Sequence, residues 1–416
     1  MREAEYLTAE EEAIAQANPA TLSQAARQRA GGYFADWVMD TGPNFFTEQT
    51  TEDVIIRTTL DPRVQAAAEE ALTQVFATLK EGSNAQGAIV VMSADGAVRA
   101  MVGGRDLTVA GAFNRATQAL RQTGSTFKPF VYGTALDLGM SPFDILADEP
   151  TCFPIRGQDD YCPTNFTGRF EGDVTMVEAM QQSLNVPAVS LSELVGRDHV
   201  RTIAEDFGIV SDLANGPALA LGASESTLLE MTGAYAGILN GGSAVKPYGL
   251  TDLRLAGDDD PLLTATGGIR ERVIQESAAR ELTWMMHQVV EGGSGRRAAV
   301  EGWEIAGKTG TTQGARDAWF IGFSGDYVAG VWMGYDDNTP LTGVTGSGLP
   351  AQIWHETMNR VLDGLLPTPL PMTVPAGAIP TADAQPSQGN DGLGLSPQVA
   401  DDLINDLLRE LQGNGG

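Results

Sequence analysis

The chain has 416 residues, 42% hydrophobic and 19% charged, enough apolar content for one large domain or two ordinary ones with buried cores. A net charge of -28 excludes a partner gripped by clustered Lys and Arg, so no nucleic-acid ligand is expected. No apolar run approaches the roughly 18 residues of a membrane span, and no basic-then-apolar leader opens the chain, so an exported natural protein would carry its address outside these residues.

Residues 1 to about 45 are rich in Ala, Glu and Gln, with helical character from Thr8 to Arg29, and carry no catalytic pattern. Asp53 to Thr58 reads as a strand. Asp61 and Pro62 then stand as N-cap and first helical residue ahead of Val64, Ala68, Leu72, Val75 and Leu79 at helical spacing. Gly87 to Met92 and Ala97 to Val102 flank Ala94-Asp95-Gly96, which predicts a hairpin and an antiparallel sheet.

Gly124-Ser125-Thr126-Phe127-Lys128-Pro129-Phe130 reads as a helix start that puts Ser125 and Lys128 on one face, where hydroxyl and amine can touch. A lysine in a partly desolvated pocket near another cation can lose its proton and take one from a serine. An apolar, buried helix continues to Leu138. The stretch from Asp148 to Gly172 reads as a loop containing both cysteines, Cys152 and Cys162; their spacing fits a disulfide in an oxidising compartment and no common zinc pattern. The three histidines, His199, His287 and His355, are too scattered for a metal site.

A helix is expected to begin at Asp173 and run towards Ser183-Leu184-Asn185-Val186-Pro187, with a structured loop or a helix break at Val186 favoured by the following proline. Ser183 and Asn185 then present a hydroxyl and an amide in one direction. Residues 190 to 300 are expected to be mostly helical, including Thr227 to Leu239 and Glu276 to Val290, with Gly292-Gly293-Ser294-Gly295 ending the last. Trp303 to Thr312 reads as a strand carrying Lys308, Thr309, Gly310 and Thr311, a charge and hydroxyls suited to a carboxylate. Asp317 to Phe323 and Tyr327 to Gly334 read as two further strands, and Pro350 to Leu365 as a closing helix. From Pro367 to Gly394 the composition is that of a linker. Ser396 and Pro397 then cap a short amphipathic helix with Val399, Leu403, Leu407 and Leu411 on one face, a candidate docking element or a tail that folds back on its own domain.

Ser125-x-x-Lys128, Ser183-x-Asn185 and Lys308-Thr309-Gly310, in that order, resemble the motif set of the penicillin-recognising serine enzymes. Thr58-Thr59-Leu60-Asp61, Phe113-Asn114-Arg115-Ala116, Ser183 to Pro187, Gly307 to Thr312 and Asp317-Ala318-Trp319-Phe320 extend the resemblance to the transpeptidase domain of class A, bifunctional penicillin-binding proteins. The resemblance implies an α/β (α+β) fold, an antiparallel sheet flanked by helices with a mostly helical subdomain and the site between them. It implies that Ser125 attacks the penultimate D-alanine carbonyl of a peptidoglycan stem peptide and that a neighbouring amine resolves the acyl-enzyme. Lys128 would be the base, kept neutral in part by Lys308. Ser183 would pass the proton to the leaving nitrogen, Asn185 would hold the substrate amide, and Thr309 and Thr311, with Gly310 between them, would bind the carboxylate. The backbone N–H groups of Ser125 and Thr311 would form the oxyanion hole, β-lactams would acylate Ser125, and no metal or organic cofactor is required.

The expected organisation is a remnant of a preceding glycosyltransferase domain and linker at 1–45, a transpeptidase domain at 46–366, a linker at 367–395 and a tail at 396–416 that could meet cell-wall synthesis proteins. The resemblance also implies a periplasmic location, with an inner-membrane anchor and a glycosyltransferase domain that this chain does not carry, so the chain reads as a fragment or a shortened relative. The rivals are a D-alanyl-D-alanine carboxypeptidase, a β-lactamase and, from another class, a β-lactam sensor or scaffold without turnover. A class A β-lactamase needs a Glu-x-x-Leu-Asn carboxylate between Asn185 and Lys308, and no such stretch is present.

Overall fold

The computed structural model describes residues 32–41, 54–79, 84–107, 111–155, 157–265 and 267–376. The helix expected from Thr8 to Arg29 and the amphipathic tail lie outside them. In chain order the helices are α1 (Tyr33–Thr41), α2 (Pro62–Ala77), α3 (Lys128–Asp137), α4 (Met176–Gln182), α5 (Asn185–Val195), α6 (Arg197–Asp206), α7 (Leu228–Leu239), α8 (Glu276–Glu291) and α9 (Leu349–Leu362). The five-stranded sheet is built from β1 (Gln86–Ser93), β2 (Val98–Val102), β3 (Ala306–Thr311), β4 (Asp317–Phe323) and β5 (Tyr327–Gly334).

The sheet is antiparallel throughout and ordered β3-β4-β5-β1-β2. The β1–β2 hairpin closes at Gly96, whose φ of +90° most side chains would resist. Its strands are apolar on both sides because both faces are covered. Val90, Met92, Met101, Trp319, Ile321 and Trp332 face a core formed with α3, α7 and α8. Ile89, Val91, Val102, Phe320, Val331 and Met333 face α2 and α9 on the other side. Side chains of alternate residues thus serve different cores, as the period of a strand requires.

Two sequence details set these packings. Asp61 caps α2 by accepting the N–H groups of Arg63 and Val64, with Pro62 in the first turn as expected. Gly330 on β5 lets α7 approach, since a Cβ there would lie 2.2 Å from Thr232 Oγ1. Helix α3 is buried from Lys128 to Leu136 and packs among α5, α6 and α8, the position of a helix apolar all round.

Several expectations need correction. Gly172–Thr175 is a strand paired with Ile145–Asp148, so the expected loop is closed by a ribbon and α4 begins only at Met176. Thr175 and Glu178 form a reciprocal capping box there, which fixes the start. Residues 243–272 are largely extended rather than helical: Leu250–Leu255 pairs with Val54–Thr58 and Leu263–Thr264, and Ser243–Val245 pairs with Ile269–Arg272. The break between α4 and α5 falls at Ser183 and Leu184, not at Val186. Pro187 sits inside the first turn of α5, where a missing N–H costs nothing. Residues 367–376, expected to open the linker, lie against the domain: Leu370 is buried and its N–H donates to Glu304 Oε2 at 2.8 Å.

Candidate active site

Ser125 occupies a single 3-10 turn, Gly124–Phe127, that leads into α3 at Lys128. Three neighbours hold this turn in place. Tyr235 OH of α7 donates to Thr126 O at 2.7 Å, Trp319 Nε1 of β4 donates to Gln122 O at 2.8 Å, and Gly124 N donates to Gly222 O at 3.1 Å.

Glycines allow the turn to press against the sheet. A Cβ on Gly124 would lie 2.9 Å from Thr311 O and 3.2 Å from Thr311 N, and one on Gly310 would lie 2.8 Å from Thr123 O. Gly222, at φ +68°, is as tightly placed, with Gly124 O 2.1 Å from its absent Cβ. The Ser125 turn therefore lies along the outer edge of β3, the edge strand of the sheet.

That edge supplies donors. Thr312 N donates inward to Asp317 O at 3.0 Å, so by antiparallel alternation the N–H of Thr311 points away from β4, towards Gly124 and Ser125. The N–H of Ser125 belongs to the first turn of a helical run, which has no carbonyl behind it. Two main-chain donors thus lie where the Ser125 turn meets the edge of β3.

The amines lie beneath. Lys128 and Lys308 are both fully buried. Lys128 Nζ donates to Ser183 O at 2.7 Å, Leu184 O at 2.8 Å and Asn185 Oδ1 at 2.8 Å, with Ser183 Oγ at 3.4 Å. Lys308 Nζ donates to the same Ser183 Oγ at 2.7 Å and to Thr309 O at 3.1 Å. One hydroxyl therefore bridges two amines. Ser183 achieves this from a left-handed conformation (φ 60°, ψ 39°) at the C-cap of α4.

Burial and the neighbouring charge of Lys308 drive the pKa of Lys128 well below that of a free lysine, against an upward pull from Asp148. Burial pushes Lys308 down to about 7. Burial and mutual repulsion thus disfavour two charged amines side by side.

No hydrogen bond joins Ser125 Oγ to Lys128 Nζ, the pair expected to touch. Among the described residues Ser125 Oγ takes no hydrogen-bond partner and is partly exposed, while the amine is drawn towards the α4–α5 junction by its three oxygens. Asn185 is also more committed than its expected role implies: Oδ1 accepts from Lys128 and Nδ2 donates to Thr164 O at 2.8 Å, leaving one N–H for a ligand. Thr311 Oγ1 accepts from Gly346 N at 3.0 Å, so its proton remains free to be donated.

Other residues of the site escaped the sequence reading. Ser294, in the glycine-rich turn after α8, shares a 2.8 Å hydrogen bond with Thr309 Oγ1. Asn165 and the fully buried Asp148 stand behind Asn185. None belongs to a pattern; their meaning comes from what the fold places beside them. The disulfide between Cys152 and Cys162 is formed, closing the loop between Asp148 and Thr164.

Chemically, the arrangement offers an accessible hydroxyl, a buried amine disposed to be neutral, a hydroxyl bridging two amines, two main-chain donors at the junction of turn and strand, and a free proton on Thr311. Such a set can add a serine to a carbonyl and hold the resulting oxyanion.

Residues 87–358 match the family described as the penicillin binding protein transpeptidase domain. The chain is 37% identical over 291 residues to penicillin-binding protein 1A of Neisseria lactamica, covering 67% of this chain and 36% of that protein. It is 32% identical over 358 residues to penicillin-binding protein 2D of Bacillus subtilis, covering 82% of this chain and 51% of that protein. The chain thus spans between about a third and a half of the length of these relatives. Its fold is similar to the PonA1 protein of Mycobacterium tuberculosis, solved in complex with penicillin V, with a TM-score of 0.74 and 27% identity over 85% of this chain and 99% of that one.

Proposed function

This chain belongs to the penicillin-binding protein transpeptidase family, and from that premise we propose that it is a DD-transpeptidase that cross-links peptidoglycan stem peptides through an acyl-enzyme on Ser125. The observation that carries the reading is the Ser183 hydroxyl held between two buried amines beside the Ser125 turn.

In this reading neutral Lys128 takes the Ser125 proton as Oγ adds to the penultimate D-alanine carbonyl. The oxyanion rests on the N–H groups of Ser125 and Thr311. Losing one such donor costs roughly 100- to 1,000-fold in rate. The proton travels through Ser183 to the leaving nitrogen, the terminal D-alanine departs and an ester to Ser125 remains. Thr309 and Thr311 hold the substrate carboxylate. The amine of a second stem peptide then attacks the ester, forms the new amide and returns the proton to Ser125. A β-lactam enters the same way, but its leaving group stays tethered, so the ester persists.

The carboxylate acting on Lys128 argues against a β-lactamase. Asp148 is fully buried and its oxygens are occupied by Asn165 Nδ2 and Glu171 N, so it is not free to activate water. The Cys152–Cys162 disulfide supports a location outside the cytoplasm, where such bonds persist. We assign the transpeptidase domain to residues 46–366, with residues 367–376 laid against it.

The test supplies a stem pentapeptide with and without an amine acceptor and resolves the products. The expected outcome is a cross-linked amide that is lost in Ser125→Ala. Release of D-alanine without cross-linking would identify a carboxypeptidase, and a stable acyl-enzyme without product would identify a sensor.

A further inference from the structure

Asp148 is a carboxylate with no exposure to solvent and, among the described residues, no ion pair. A buried charge of this kind is costly unless something nearby uses it. Its bonds lead to the site. Asn165 Nδ2 donates to Asp148 Oδ1 and Oδ2, both at 2.8 Å, and to Arg169 O at 2.9 Å, while Glu171 N donates to Oδ2 at 2.9 Å.

With its nitrogen committed to the carboxylate, Asn165 must turn its oxygen the other way, where it accepts the N–H of Asn185 at 2.7 Å. That N–H is one of the unpaired donors at the start of α5. The adjacent residue completes the lock. Thr164 O takes Asn185 Nδ2, which leaves Asn185 Oδ1 facing Lys128 Nζ at 2.8 Å. Asp148 thus fixes Asn165, Asn165 fixes the main chain of Asn185, and the neighbouring Thr164 carbonyl turns the Asn185 oxygen to Lys128.

We propose that Asp148 is a positioning residue for acylation: through Asn165 it fixes the start of α5, and with it the Asn185 oxygen that tethers the amine of Lys128 beneath the Ser125 turn. The inference rests on the reading of Ser125 and Lys128 as nucleophile and base. The charged groups acting on Lys128 are Lys308 of β3 and Asp148 of the ribbon. Lys308 and burial lower the lysine's pKa, and Asp148 raises it. Facing Asp148 from α3 is Tyr132, whose phenol is pushed up by burial and by that carboxylate and whose OH has no hydrogen-bond partner among the described residues. Removing the negative charge takes away the upward pull that the described residues exert, so Lys128 would lose its proton at lower pH while being held less well.

The experiment follows acylation of the whole chain by a fluorescent penicillin across pH, in the wild type, Asp148→Asn and Asn165→Ala, with melting temperatures alongside. Expected for Asp148→Asn is a plateau rate at least tenfold lower and an acid limb moved to lower pH by half a unit or more. Expected for Asn165→Ala, which leaves Asp148 its bond from Glu171 N, is a comparable loss of plateau rate. A purely architectural role would lower the melting temperature and the labelled fraction but leave the rate profile of the folded protein in place, and that result overturns the proposal. Failure of both variants to fold overturns it too, since the pair would then belong to the fold and not to the reaction. An unlabelled wild type would instead remove the reading of Ser125, whereas a labelled wild type matched by both variants removes the positioning role alone.

Discussion

Ser183 holds a φ of 60° although it carries a side chain, in a region that costs an L residue about 1 kcal/mol more than glycine. The conformation aims its carbonyl and its hydroxyl at Lys128 together, and a glycine would keep only the first. Ser183→Gly should therefore be more stable than Ser183→Ala by about 1 kcal/mol, while both acylate at least tenfold more slowly than the wild type. Thermal melting and stopped-flow labelling check the two halves separately; wild-type acylation by Ser183→Ala would take the hydroxyl out of the proton path. At this scale Ser125, Lys128, Ser183, Asn185, Lys308, Thr309, Gly310 and Thr311 were legible because they recur as short ordered motifs. Asp148, Asn165 and Ser294 were not, because a lone polar residue in a loop acquires its role only when the chain buries it beside another.

The close approach of three elements shapes the site: the Ser125 turn, the edge of β3 and the turn at Gly222. A Cβ on Gly222 would meet the backbone of Gly124 at 2.1 Å from O and 2.5 Å from N, at a φ of +68°. Neither clash can be relieved by a side-chain rotation. Gly222→Ala is expected to cost about 2 kcal/mol or more, as overpacking does, and to slow acylation at least tenfold although residue 222 carries no reacting group. Unchanged melting and labelling would mean that the turn has room to move. The strands of the central sheet were legible because both of their faces are apolar and their turns are marked by Gly and Asp. The extended segments between 243 and 272 were not, since Leu250–Leu255 is a strand by virtue of Val54–Thr58, a partner far away in sequence. The helix break was misplaced for a related reason. Pro187 marks a first turn as readily as an interruption, and the left-handed Ser183 that decides between them has no sequence signature.

Across the whole molecule the net charge is -28, around a site proposed to receive a carboxylate. The two lysines that line it are buried and both have pKa values lowered by burial, so the field at long range is negative. An anionic penicillin is repelled until it enters. Raising monovalent salt from about 0.01 to 0.2 M shortens the Debye length from roughly 30 Å to under 10 Å. The second-order acylation constant should rise at least twofold in response; a fall would show that local cations govern the approach. The architecture itself, an antiparallel sheet with helices on both faces and a helical part beside one edge, followed from the motif resemblance and from the hydrophobic pattern. What the pattern could not supply was that the amine of Lys128 points to the α4–α5 junction in the free protein, leaving the Ser125 hydroxyl unbonded among the described residues.

The most direct measurement is peptide mapping by mass spectrometry of the chain after reaction with a penicillin. One adduct of the mass of the intact drug, on Ser125 and in no other peptide, is the predicted result. An adduct elsewhere, or none under conditions where the protein remains folded, would contradict the placing of acyl transfer at the meeting of the Ser125 turn and β3.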